Sequence, residues 1–271
     1  MTSNAQIPDN IFIEDAKRIV AEGEKRKIVI RILGALAIRL HTYELSNLHQ
    51  KLDRLGDHGQ QFTDLDFIAY GKHRNELYKM FKDLNYELDK RVAAYFGHIR
   101  GIWYHPQSFY HVDVFYDSLS FSHTIFFGSK PGQGRLELDY PTITLADILL
   151  EKTQIHDIGE KDIKDVIILL HGHNVGEVEQ ETININRICE VLKNDWGFYY
   201  DFKINMGKIV EFAEKYKGEK KITSSELDDI KLKVEKILDR VEAEPKTKGW
   251  MKRSKVGTNK QWWITVEEVE R

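Results

Sequence analysis

Two acids sit one residue apart inside an apolar run, Thr63-Asp64-Leu65-Asp66-Phe67-Ile68, and a third, Asp113, follows 47 residues after Asp66 between Val112 and Val114-Phe115. No other feature limits the fold as sharply. An extended strand points residues i and i+2 to one side, roughly 6.6 Å apart, so Asp64 and Asp66 project together while Leu65 and Phe67 enter a core. A second strand carrying Asp113 would stand about 4.8 Å to the side. Asp-x-Asp alone carries little weight: with 43 acids in 271 residues, chance supplies about seven acid-x-acid pairs. Most such pairs lie on solvated helices or loops, whereas acids enclosed by strand-like apolar residues carry a desolvation cost that needs a reason. An edge strand or a salt bridge is one such reason. A metal is the other. Three carboxylates within ~5–7 Å repel and raise one another's pKa, and a bound cation resolves the conflict. Hard oxygen ligands suit Mg2+ or Mn2+, and Mg2+ usually joins a few carboxylates to substrate phosphates, so the pattern points to a phosphoryl-transfer centre.

The remaining composition narrows the class. A chain of 271 residues with a formal charge of -3 can form one large domain or two smaller ones, and bulk affinity for nucleic acid does not follow from that charge. Its apolar runs fall far short of the ~18 residues of a membrane span, so no membrane partner is expected. Met1-Thr2-Ser3-Asn4-Ala5-Gln6 lacks the basic and apolar blocks of a secretory signal, which makes a cytoplasmic protein the expectation. The single cysteine, Cys189, lies in Ile188-Cys189-Glu190-Val191-Leu192 and reads as a small buried residue. His171-Gly172-His173 has a metal-ligand flavour, but without cysteine partners it reads as a loop after a helix.

Periodicity predicts a helix over residues 10–26, a β-branched strand over 27–33, a sharp turn at Gly34 and a helix from Ala35 to Leu40. Residues 42–61 read as a polar connection. Leu77, Met80, Phe81 and Leu84 predict a helix near 73–84, and Val92–Phe96, Gly101–Tyr104 and Phe109–Tyr116 read as strands. The expected fold class is α/β, or α+β, with a mixed sheet flanked by helices. From Pro141 onward the pattern turns helical. Leu145, Ile148, Leu149, Lys152 and Ile155 share one face, Ile163, Val166, Ile167 and Leu170 another, with a joint around Gly159. Met206, Ile209, Val210 and Ala213 predict a helix stopped by Gly218, and Leu227 through Val241 predict another behind Ser225-x-x-Asp228. The chain therefore divides into a sheet domain over 1–175 and a mainly helical region over 176–271. In the tail, Lys246, Lys248, Lys252, Arg253, Lys255 and Lys260 alternate with Trp250, Trp262 and Trp263. Basic and aromatic residues together suit nucleic acid, but a terminal hairpin turning at Gly257-Thr258-Asn259, with packed tryptophans and solvated lysines, accounts for them more simply.

Taken in order, Leu33-Gly34-Ala35-Leu36-Ala37, Thr63-Asp64-Leu65-Asp66 and Val112-Asp113-Val114 resemble the signature of the polymerase-β-like nucleotidyltransferase superfamily. Pro141 through Lys152, continuing to Lys161-Asp162-Ile163-Lys164-Asp165, resembles the downstream helices of a bacterial branch that includes abortive-infection-type nucleotidyltransferase toxins. The resemblance implies a turn at Gly34 and Ala35 beneath the nucleotide phosphates, and metal ions held by Asp64, Asp66 and Asp113, with Asp113 as proton acceptor. It further implies transfer of a nucleoside monophosphate from an NTP to RNA, protein or a small molecule, and an antitoxin as a candidate partner. Lys152 matches a phosphate-neutralising lysine of the family. Asp162 and Asp165, three residues apart on one helix face, would orient Lys152 or Lys161 through exposed ion pairs worth about 0.2–1 kcal/mol. Arg39 and Thr63 are further candidates for nucleotide contact. Two departures stand out: family members follow the first glycine with Gly or Ser where this chain has Ala35, and the 30 residues from Gly34 to Asp64 form a long separation.

Overall fold

The computed structural model describes residues 7–56, 59 and 61–265, so the Met1–Gln6 stretch read for a signal lies outside the described residues. In chain order the strands are β1 (Ile30–Ile32), β2 (Leu65–Ala69), β3 (Glu87–Leu88), β4 (Arg100–Tyr104), β5 (His111–Tyr116), β6 (Ser118–Ser120), β7 (Thr124–Phe126), β8 (Asn174–Gly176) and β9 (Thr182–Asn184). The α-helices are α1 (Asp9–Lys25), α2 (Gly34–His41), α3 (Ser46–Leu52), α4 (Arg74–Asp83), α5 (Lys90–Phe96), α6 (Leu145–Thr153), α7 (Glu160–Gly172), α8 (Ile185–Leu192), α9 (Trp196–Gly218), α10 (Ser224–Ala243) and α11 (Lys248–Ser254). The class is α+β, as expected, and the chain forms two compact units.

The first unit comprises residues 1–40, 55–119 and 126–143 and contains a five-stranded mixed sheet in the order β1-β2-β5-β4-β3. Only β2 and β5 run parallel; the other neighbours are antiparallel. The two-residue alternation read from sequence holds across the sheet centre. Ile30, Ile32, Leu65, Phe67, Val112 and Val114 are fully buried on one side, which leaves Asp66 and Asp113 to the other. Helix α1 buries Phe12, Ala16, Ile19, Val20 and Gly23, a 3.6-residue stripe. A Cβ on Gly23 would stand 2.7 Å from Ile30 Cγ2, so the glycine permits close approach of this turn to β1. The strand begins at Ile30 rather than Lys27 because Lys27 takes a φ of 59° in the connecting turn. Val92–Phe96, read as a strand, lies in α5. Its apolar run suits either state, and the Asp89 side chain decides by accepting the backbone N–H groups of Arg91 and Val92 at 2.9 and 3.0 Å.

The second unit comprises residues 41–54, 120–125 and 144–271. Every residue of α6 is buried, as expected of a helix surrounded by others, and α7, α8 and α9 pack around it. Helices α6 and α7 lie in this second unit. The 42–61 segment contains a 3-10 turn at Tyr43–Leu45 and then α3, which packs on α7 through a face that buries Leu48 and Leu52. Gly159, around which a joint between the two helices was expected, is the N-cap of α7. Helix α9 starts ten residues before Met206, where Asp195 accepts the Phe198 N–H. Helix α10 starts at a capping box of Thr223 and Glu226, two residues ahead of the expected Ser225-x-x-Asp228.

The tail forms no hairpin within the described residues. The Thr247 side chain accepts the Trp250 N–H and starts α11, and Arg253 donates to the carbonyls of Gly257 and Lys260 at 2.8 and 2.9 Å, folding the segment back on itself. The tryptophans nonetheless pack. Trp250 meets the Tyr199 ring edge-on, Trp262 meets Trp196 and Tyr200, and Trp263 stacks on His156 with centroids 3.7 Å apart. Lys248, Lys252, Lys255 and Lys260 are exposed.

Candidate functional site

Parallel pairing of β2 and β5 makes Asp66 and Asp113 direct Cα partners. Registered residues of neighbouring strands face the same side, so the two carboxylates stand next to each other. One step toward the N-terminus, Asp64 just ahead of β2 lies beside His111 at the head of β5, with Asp64 Oδ2 3.5 Å from His111 Nε2. The three predicted acids thus share one face of the sheet. Asp113 is buried, whereas Asp64 and Asp66 are half-buried and open to solvent.

The neighbouring strand adds a cation that sequence reading missed. Arg100 is the Cα partner of Phe115, which puts its side chain on the acid face two residues from Asp113. It donates from Nη2 to Asp113 Oδ2 at 2.5 Å, and its guanidinium lies over the Phe115 ring, 5.3 Å from the centroid. At an effective dielectric of about 20, opposite unit charges 4 Å apart attract by about 4 kcal/mol, comparable with the repulsion between two carboxylates at a similar distance. Arg100 therefore offsets part of the repulsion among the three carboxylates, which is the salt-bridge reason for acids in an apolar run rather than the metal one.

The Gly34 turn belongs to the same unit and adjoins the same face. Leu33 donates its N–H to the carbonyl of Asp66 at 2.9 Å, so the end of β1 is held beside this acid. Gly34 then takes a φ of 69°, a conformation available to glycine at little cost, and α2 begins there. Ala35 and Arg39, four residues apart on α2, share a helix face, and both are half-buried. Thr63 is exposed and donates from Oγ1 to Asp64 Oδ1 at 3.1 Å.

The other predicted residues assemble within the second unit. Lys152 Nζ lies 2.8 Å from Asp162 and 3.0 Å from Asp165, while Arg54 Nε lies 3.0 Å from both carboxylate oxygens of Asp165. Asp162 and Asp165 thus orient Lys152, as read from their spacing, and exposed Lys161 takes no part in that pairing. The pairs are not exposed, however: the Lys152 side chain is only 7% accessible. Burial works against the lysine charge, but the two aspartates outweigh it and raise its pKa above the ordinary lysine range. Burial likewise opposes the Asp162 carboxylate, and Lys152 outweighs that and holds its pKa low.

Asp64, Asp66 and Asp113 offer oxygens of the kind Mg2+ and Mn2+ take on one face of the sheet, but among the described residues they are not gathered into a three-ligand group within 4.8 Å. Arg100 and Arg54 were not legible in advance, because each meets its acid through tertiary register rather than sequence spacing. Compared with protein-family models, curated proteins and solved structures, the chain matches none.

Proposed function

We propose that the protein is a metal-dependent nucleotidyltransferase that moves a nucleoside monophosphate from an NTP to a hydroxyl on RNA, protein or a small molecule. The carrying observation is the register of Asp66 with Asp113, with Asp64 on the same face and the Gly34 turn bonded alongside Asp66. Mg2+ or Mn2+, held by the three acids, would supply acidification of the acceptor hydroxyl and neutralisation of phosphate charge. Asp64 and Asp66 would help to hold it through their half-buried carboxylates. The backbone at Gly34 and Ala35 opens α2, whose N-terminal N–H groups suit phosphate oxygens. The acceptor oxygen attacks the α-phosphorus, the bond from that phosphorus to the bridging oxygen breaks, pyrophosphate departs, and Asp113 takes the hydroxyl proton. Arg100 must release Asp113 or share it for that step, and is itself a candidate for phosphate charge.

The same Arg100–Asp113 contact favours a second reading. An acid already neutralised by a half-buried arginine, together with Ala35 at the turn, suits a non-catalytic nucleotide- or RNA-binding regulator built on this fold, with an antitoxin as a candidate partner. Titration calorimetry with Mg2+ and each NTP, followed by incubation with labelled NTPs and cell extract, separates the two. The enzyme reading expects a labelled macromolecule that disappears with Asp113→Ala. Nucleotide binding without any labelling leaves the regulator; no nucleotide binding at millimolar concentration removes the enzyme and leaves the regulator only as an RNA binder, which fails in turn if no salt-dependent RNA binding is found.

A further inference from the structure

Away from the acid face, within the second unit, His173 and Glu181 are brought side by side by the short parallel pair β8–β9. Asn174 and Thr182 are Cα partners, so the residues immediately preceding them, His173 and Glu181, stand next to each other at the strand mouths. His41, the last residue of α2, completes the group: one ring nitrogen from each histidine and one Glu181 oxygen all lie within 4.8 Å of one another. His41 Nδ1 is 3.5 Å from Glu181 Oε1 and His173 Nδ1 is 3.7 Å from Glu181 Oε2, both long for hydrogen bonds. They are close to the spacing of neighbouring ligands on a tetrahedral ion, about 3.4 Å for metal–ligand bonds of about 2.1 Å. The imidazole planes cross at 86° with centroids 5.8 Å apart, so the two rings meet edge to face and do not stack.

We infer that His41, His173 and Glu181 form a binding site for a zinc-class divalent transition-metal ion, with a water molecule in the fourth position. Two nitrogens and one carboxylate match the ligand sets in which such ions keep an open site, and they are a poor match for Mg2+, which prefers oxygen. Burial supports the assignment. The side chains of both histidines are less than a tenth exposed. Glu181 reaches the pair from a φ of 46°, a left-handed conformation that costs a non-glycine residue on the order of 1 kcal/mol and that metal binding would help to justify.

The test is calorimetry of the full chain with ZnCl2 alone, and visible absorption after addition of Co2+, whose tetrahedral complexes with nitrogen ligands absorb far more strongly than hydrated Co2+. One equivalent of Zn2+ should bind, and His173→Ala should weaken it on the order of 100-fold. Should that variant fail to fold, Glu181→Gln serves instead, since Glu181 is largely exposed and its loss leaves the buried histidines in place. Asp66→Asn, in the other unit, should leave zinc binding unchanged, which separates this site from the acid cluster. Absence of stoichiometric binding, or binding that survives Glu181→Gln and His173→Ala unchanged, would overturn the assignment.

Discussion

Replacing Lys152 by methionine keeps much of the side-chain volume and removes one charge from a group of four, of which Lys152 and Asp165 are buried and Arg54 and Asp162 largely so. In the native protein Lys152 and Arg54 balance Asp162 and Asp165, so the group is neutral. The substitution leaves one excess negative charge among side chains of low exposure. Removing one member of such a buried pair costs about 3–5 kcal/mol, because the partner stays desolvated without compensation. In a unit of this size each kcal/mol moves the melting temperature by roughly 2–4 °C, so Lys152→Met should lower it by roughly 6–20 °C. Urea unfolding at neutral pH measures the free energy directly. The decisive arm is the double variant. Adding Asp162→Asn to Lys152→Met restores neutrality around the Arg54–Asp165 pair and should recover at least about 1 kcal/mol of the loss, a non-additivity of the kind directly coupled residues show. The pH dependence has a definite sign. Lys152 has a raised pKa, so its contribution is complete below the ordinary lysine value near ~10.4 and fades as pH rises through the higher folded value. Asp162 has a lowered pKa, so its contribution is complete above about 3.9 and fades as pH falls through the lower folded value. The stability gap between wild type and Lys152→Met should therefore be widest between those limits and close at both ends. A loss below about 1 kcal/mol, or additive losses in the double variant, would refute the claim that buried charge balance holds this part of the unit together.

Three shorter predictions follow from other parts of the molecule. Asp66→Asn should reduce nucleotidyl transfer on the order of 100-fold or more, about 2.7 kcal/mol in the barrier, whereas Thr63→Ala, which loses only an exposed hydroxyl beside Asp64, should stay within about tenfold; labelled-NTP turnover compares them. Gly34→Ala should cost about 1–2 kcal/mol in urea unfolding, because an alanine at a φ of 69° takes on the left-handed penalty that glycine avoids. Asp201 is buried and accepts hydrogen bonds from Trp262 Nε1 at 2.8 Å and lies 2.8 Å from His123 Nε2 and 3.0 Å from His156 Nδ1. Burial tends to raise its pKa, but these partners prevail and lower it, so its contribution should hold above about 3.9 and disappear as pH falls further; Asp201→Asn should flatten that acid limb in melts across the range.

Whatever depends on the period of a single element was legible in the sequence. The two-residue alternation placed Leu65 and Phe67 in the core and Asp64, Asp66 and Asp113 on the opposite face, and the 3.6-residue stripes located α1, α4, α6 and α7. Elements decided by one local hydrogen bond were not. Val92–Phe96 has strand-like composition, yet Asp89 caps it as a helix, and the basic tail has the turn residues of a hairpin, yet Thr247 starts a helix there. In both places a short apolar run suits two backbone states, and a single side-chain acceptor decides between them.

Register between elements is harder still, and it decides the chemistry of the site. Arg100 reaches Asp113 only because β4 runs antiparallel to β5 with Arg100 opposite Phe115; a shift of one residue would turn the guanidinium to the apolar side. His41, His173 and Glu181 converge through the pairing of two three-residue strands that no periodicity announces. The i, i+3 spacing of Asp162 and Asp165 was readable and offered Lys152 or Lys161 as their partner, but spacing says nothing of depth. Burial changes that pairing from an exposed contact of about 0.2–1 kcal/mol into a charge group whose disruption costs about 3–5 kcal/mol. The same residues thus take on a different role: a lysine fully matched by two aspartates inside a helical unit is first a determinant of stability, and it can serve a phosphate only by giving up a contact that the fold itself requires.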